Sequence, residues 1–112
     1  MDDERARELL QSERLRTQQR LDDVLAESRR DRAAANEPGD MFDSAQPLTQ
    51  EQADDAVMEE LQGRLAAIAR AEDRLDRGTY GYSVVSGLPI PEDRLESDPT
   101  AELTVEESAE AR

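Results

Sequence analysis

Apolar and small residues in the first third of the chain recur at helical spacing. They are Leu10, Thr17, Leu21, Val24 and Ser28, with Leu9 and Leu25 beside them. The segment contains no glycine or proline, and Asp2 can cap its start. Because so narrow a stripe is buried by one partner helix, the pattern predicts a helix from Asp2 to about Ala35 with a single seam.

A second helical pattern follows a break. Pro38 and Gly39 stop the first helix, and Thr49 with Gln52 has the spacing of a capping box. The next apolar series consists of Val57, Leu61, Leu65, Ile68 and Leu75. We expect this helix to run to Arg77, with Gly78 as a left-handed cap. The prediction for residues 1–77 is a mainly α domain, a long antiparallel two-helix coiled-coil hairpin with a tip loop at about residues 36–48.

The amino-acid composition changes at Gly78. Residues 78–91 hold both tyrosines, three of the five glycines and two of the five prolines. This composition predicts tight turns with short extended pieces, so residues 78–112 form a second, small knuckle. We expect a helical turn after Pro99 and a short C-terminal helix from about Val105, capped by Thr104 and Glu107. The apolar residues expected to hold the knuckle are Tyr80, Tyr82, Val84, Val85, Leu88, Ile90, Leu95, Leu103 and Val105.

Charge and composition narrow the function. The chain has 28 acidic residues against 14 basic ones, all arginine, and a net charge of −14. Nucleic acid and anionic membranes repel such a surface, whereas a basic cleft on a protein attracts it. Without Cys, His or Lys, or a glycine-rich phosphate loop, no enzyme active site is expected. Residues 1–5 lack the features of a signal peptide and no apolar run could span a membrane, so we expect a cytoplasmic protein.

The knuckle resembles a known family. Gly78-x-Tyr80-Gly81-Tyr82-Ser83-x-x-Ser86-Gly87, followed by Arg94-Leu95-Glu96-x-x-Pro99-Thr100-Ala101, is similar to the DksA/TraR zinc finger. In that family a Cys-x-x-Cys pair stands in each half. The four positions are occupied here by Ser83, Ser86, Thr104 and Glu107. Hydroxyls and one carboxylate are a poor zinc set, so we expect no metal and no other cofactor despite the resemblance.

The same resemblance extends to the tip. DksA-type proteins carry an Asp-x-x-Asp-x-Ala motif there, and this chain has Asp40, Phe42, Asp43 and Ala45 in the turn between its helices. The resemblance implies a transcription regulator that inserts its hairpin through the secondary channel of RNA polymerase. Asp40 and Asp43 would then approach the active site, Ala45 would pack, and Phe42 would make an exposed contact. Family positions near the coiled-coil base that help to bind ppGpp correspond to Ala67, Asp98 and Ser108, none of them basic.

Two interpretations of function remain open from the residues. The first is this polymerase-binding regulator, which we expect to be a monomer that does not touch nucleic acid directly. The second is a metal-free coiled-coil adaptor or structural protein, with the same fold and a partner other than polymerase. A dispensable tip would favour the adaptor.

Overall fold

The computed structural model describes the backbone of residues 1–35 and 45–110, and the side chains of residues 1–30 and 54–110. This part of the chain is mainly helical. Its helices are α1 (Asp3–Ala35), α2 (Ala45–Arg77), α3 (Glu92–Ser97) and α4 (Val105–Glu110). Within these residues the extended structure is limited to one isolated antiparallel bridge between Tyr82 and Pro89. None of the described helices is long and apolar enough to cross a membrane.

Helix α1 begins where the sequence predicts. The side chain of Asp2 accepts a hydrogen bond from the backbone N–H of Arg5 at 2.7 Å, and its carbonyl accepts one from Ala6 at 3.1 Å. Asp2 is therefore the N-cap, satisfying donors that have no partner in the first turn. The absence of glycine and proline then lets the helix continue to Ala35.

Helix α2 begins earlier than predicted. It starts at Ala45, so the prediction that Thr49 caps it is wrong, and Thr49 lies inside the helix. Pro47 falls in the first turn, where its missing N–H removes no helical hydrogen bond, so the helix can begin before it. The capping-box pattern of Thr49 and Gln52 therefore does not mark the start of α2.

The end of α2 agrees with the sequence. Gly78 has a φ of +76° and donates to the carbonyl of Leu75, while Thr79 donates to that of Arg74 at 2.9 Å. These two bonds form a Schellman motif.

The described structure divides into two compact units. The first unit contains residues 1–15 and 66–112, and the second contains residues 16–65. The first unit therefore combines one end of each long helix with all of the knuckle. The division at residue 77 into hairpin and knuckle domains stays a prediction.

The first unit holds two groups of buried apolar residues. One group consists of Ala6, Leu10, Ile68, Ala71 and Leu75. The other consists of Ile90, Leu95 and Ala101. Met1 and Tyr80 are partly buried and pack against both groups. These two residues therefore connect the core of the knuckle to the core between the ends of the long helices.

Ion pairs flank the helical part of this core. Arg7 pairs with Asp76 at 2.9 Å, and Arg14 pairs with Glu72. The pairing of an early residue of α1 with a late residue of α2 shows that these two segments run antiparallel in the first unit.

The second unit buries Thr17, Leu21 and Leu61, all positions of the predicted seams. Val24, Ser28 and Leu65 are partly buried. Val57 is 36% exposed, which makes it less buried than the other predicted seam positions, and its place in the seam stays a prediction.

The predicted knuckle core is only partly right. Ile90 and Leu95 are buried, and Tyr80 and Leu103 are partly buried. The remaining five predicted residues are exposed: Tyr82, Val84, Val85, Leu88 and Val105. Residues 83–88 close on themselves through main-chain hydrogen bonds, and a turn this short directs most of its side chains outward.

Two local features of the knuckle were not predicted correctly. Helix α3 was missed, although Pro91 directly precedes its first turn. The residues after Pro99 form a hydrogen-bonded turn rather than a turn of helix: Ala101 donates to the carbonyl of Asp98 at 3.1 Å, and the carboxylate of Asp98 accepts from Thr100.

Candidate functional site

The first half of the knuckle is organised by Ser83. Its backbone N–H donates to Leu88 at 2.8 Å, and its carbonyl accepts from Gly87 at 3.0 Å. Its side-chain oxygen accepts from the N–H groups of Val85, at 3.1 Å, and Ser86, at 3.2 Å. Gly87 has a φ of +74°, which favours glycine. Ser83, only 5% exposed, therefore holds a closed turn.

The second half is organised by Thr104 and Glu107. The backbone N–H of Glu107 donates to the hydroxyl of Thr104 at 3.2 Å, and the N–H of Thr104 donates to Glu107 Oε1 at 3.1 Å. This reciprocal pair is the predicted capping box, and it begins α4 at Val105.

A side-chain hydrogen bond joins the two halves. The hydroxyl of Ser83 donates to Glu107 Oε2 at 2.9 Å. Both carboxylate oxygens of Glu107 are thus engaged, one on each half. The N–H of Thr104 and then the hydroxyl of Ser83 lower the pKa of Glu107 below its ordinary value, because they stabilise the ionised form.

The fourth position, Ser86, is close to the same network. Its hydroxyl accepts from the N–H of Leu88 at 3.3 Å, and its side chain lies close enough to Glu107 to help lower the pKa of that carboxyl. The structure therefore brings together all four positions that carry cysteine in the family.

These four side chains do not fit zinc. Zinc favours thiolate and imidazole, and a neutral hydroxyl binds it weakly. Here the hydroxyls of Ser83 and Thr104 already accept backbone N–H groups, and both oxygens of Glu107 accept hydrogen bonds. Elsewhere in the described residues, no group of three or more His, Cys, Asp or Glu side chains is placed to hold a metal ion.

A second polar cluster connects the knuckle to α2. Glu102 accepts from Arg70 at 2.8 Å and from Arg74 at 3.3 Å. Its backbone carbonyl accepts from the N–H of Val84 at 2.9 Å. Burial raises the pKa of Glu102, but the two guanidinium groups outweigh it and the net shift is downward. Glu102 cannot be recognised from the sequence, because a single acidic residue does not stand out in an acidic chain.

Tyr80 fixes the knuckle from another side. Its hydroxyl donates to the carbonyl of Pro99 at 2.8 Å. Burial raises the pKa of this phenol to about 12, so the group remains a donor at all ordinary pH values.

The predicted tip residues fall mostly outside the described part of the chain. Asp40, Phe42 and Asp43 lie outside the described residues. Ala45 is the first residue of α2, and its side chain is outside the described part. Their roles stay predictions.

Comparison with known proteins relates the chain to a solved structure. No family model matches the chain, and no curated protein matches it. Among solved structures, the chain is similar to transcription factor DksA2 from Pseudomonas aeruginosa. The sequences are 31% identical, the TM-score is 0.83, and the match covers 97% of this chain and 81% of that one.

This match defines the class of protein, a mainly helical fold of the DksA type. The chain belongs to the DksA/TraR family, and within it lacks cysteine at every position of the zinc finger.

Proposed function

We propose that this protein regulates transcription by binding RNA polymerase through its secondary channel, with Asp40 and Asp43 acting near the active site. The observation that carries the proposal is the similarity to transcription factor DksA2 over 97% of the chain. Because the match spans nearly the whole chain, it includes both long helices and the knuckle.

The placement of the tip motif in the chain supports the proposal. Asp40 and Asp43 lie between two helices of 33 residues each. At 1.5 Å per residue, a straight helix of that length measures about 50 Å. An antiparallel coiled-coil hairpin of that length would carry a tip deep into a channel while the knuckle stays outside.

Charge supports the same partner. With a net charge of −14, the chain is attracted to a basic channel that admits nucleotides and is repelled by DNA. Regulation would then act through the polymerase rather than through contact with a promoter. The former zinc positions are proposed to act without metal.

The test is in-vitro transcription with the polymerase of the host organism. The double variant Asp40→Asn/Asp43→Asn removes two charges and retains side-chain size and turn-forming chemistry. We expect it to bind polymerase nearly as well as the wild type and to lose most of the effect on transcription. The matched control is Glu59→Gln/Glu60→Gln, which removes the same charge from two exposed positions of α2.

The outcomes separate the two candidate functions. An active double variant would refute the role of the tip. A wild type that neither binds polymerase nor alters transcription would refute this function and favour the adaptor. If the control loses as much activity as the tip variant, total charge rather than the tip carries the effect.

A further inference from the structure

Helix α4 has no apolar anchor. It contains six residues and none of them is buried. An isolated helix of this length is unstable in water, so contacts outside the helix must hold it. Val105 is 54% exposed, so the polar groups at the start of the helix are what connects α4 to the rest of the knuckle.

The turn that faces this link also lacks apolar anchors. Val84, Val85 and Leu88 are 54%, 76% and 57% exposed, whereas Ser83 is buried. The turn is held to the rest of the knuckle through polar contacts. Two of these contacts are the backbone bond from Val84 to Glu102 and the side-chain bond from Ser83 to Glu107.

We propose that Glu107 performs the structural work that a zinc ion performs in the family, by linking the two halves of the knuckle through its two carboxylate oxygens. Oε1 binds the backbone of Thr104, and Oε2 binds the hydroxyl of Ser83. Ser83 passes the link on to the N–H groups of Val85 and Ser86. One of the four former ligand positions has thus become the centre of the site, and the other three surround it.

This hydrogen-bond network differs from a metal centre in the groups that it requires. A zinc ion takes four ligand atoms and needs them deprotonated, whereas the network alternates donors and acceptors within the chain. A hydrogen bond to an ionised carboxylate is stronger than one to a neutral acceptor. Chelators have nothing to remove from such a link, whereas substitution of its side chains breaks it.

The first test measures amide hydrogen exchange in the full chain. In Glu107→Ala, the amides of Val85 and Ser86 should exchange faster, by roughly two- to tenfold, although the substitution lies in the other half of the knuckle. Glu106→Ala removes an equal charge from an exposed neighbour and should leave these amides unchanged. Unchanged exchange at Val85 and Ser86 in Glu107→Ala would overturn the proposal.

A double-mutant cycle separates a link from two independent effects. Ser83→Ala and Glu107→Ala each remove one side of the bond between the halves. Each single variant raises the equilibrium constant of unfolding by some factor. If the bond is the link, the factor for the double variant should be well below the product of the two single-variant factors. Strictly multiplicative effects would overturn the proposal even if both single variants are destabilised.

A third experiment tests whether Glu107 occupies the place of the metal. The variant Ser83→Cys/Ser86→Cys/Thr104→Cys/Glu107→Cys restores four thiols around one point. We expect it to bind one zinc ion per chain and to lose α4 protection when treated with EDTA, whereas EDTA leaves the wild type unchanged. Failure of the variant to bind zinc would mean that the four positions do not converge, and would overturn the replacement of metal by Glu107.

Discussion

Arg74 lies against Glu102, with its Nη1 3.3 Å from Oε1 of the carboxylate. The side chain of Arg74 is only 12% exposed, and its Nη2 is buried with no hydrogen-bond partner among the described residues. Glu102 therefore compensates the charge of a guanidinium that is largely removed from water. Because Glu102 belongs to the knuckle and Arg74 to α2, this ion pair also connects the two.

Neutralising Glu102 should destabilise the protein. In Glu102→Gln the guanidinium of Arg74 stays buried without a carboxylate, at a cost of about 1–3 kcal/mol. The matched control is Asp73→Asn, which removes a carboxylate from an exposed pair with Arg77 and should cost less than about 0.5 kcal/mol. Urea denaturation measures both. Equal effects would mean that Glu102 behaves as an ordinary surface acid.

Two glycines of α2 and its cap should respond to alanine with opposite signs. Gly63 lies inside the helix with nothing within 4 Å of an added Cβ, so Gly63→Ala should stabilise by about 0.5–1 kcal/mol. Gly78 has equally open space but a φ of +76°. Gly78→Ala should therefore cost about 1–2 kcal/mol through backbone conformation alone. Thermal melting followed by circular dichroism tests the pair, and a stabilising Gly78→Ala would contradict the left-handed cap.

Two positions of the predicted seam should differ sharply. Ile68 is fully buried, and Ile68→Ala should cost about 2–5 kcal/mol from lost burial and the cavity left behind. Val57 is 36% exposed, and Val57→Ala should change stability by less than about 1 kcal/mol, since alanine also favours helix. Denaturant titration of both variants measures the contrast. A large loss for Val57→Ala would place that side chain in an interface instead.

Periodicity predicts the helices better than their packing. The seam positions Leu10, Leu21 and Ile68 are buried, because a stripe at helical spacing has one face to bury. Ala6 and Ala71 are equally buried and were not predicted, since small residues give a weak apolar signal. Val57 was assigned by spacing alone, and spacing does not say where along a seam the partner helix lies close.

The knuckle is harder to read because its order comes from polar bonds. An apolar pattern predicts burial for Val85 and Leu88, yet both are exposed on a turn closed by its backbone. The capping box of Thr104 and Glu107 was predictable because its spacing is local. The bond from Ser83 to Glu107 spans 24 residues, and only the resemblance to a four-ligand site placed these residues together before the structure did.

Acid should weaken the contribution of Glu107 to stability. The pKa of Glu107 is lower in the folded chain than its ordinary 4.5, because the N–H of Thr104 and the hydroxyl of Ser83 favour the carboxylate. The folded state therefore binds this proton less readily than the unfolded state. Its stabilising contribution is fully present above the ordinary value, and is lost as the pH falls below it and through the folded pKa.

Comparison with a variant that cannot titrate isolates this contribution. The difference in unfolding free energy between wild type and Glu107→Gln should be constant from about pH 7 to about pH 5.5, and should shrink below about pH 4.5. Ser83→Ala removes one donor to the carboxylate, so the same acid-dependent difference measured in that background should be smaller. Urea denaturation at a series of pH values provides both measurements. If the difference between wild type and Glu107→Gln stays constant down to about pH 3, protonation of Glu107 does not weaken the fold, and the two hydrogen bonds do not depend on its charge.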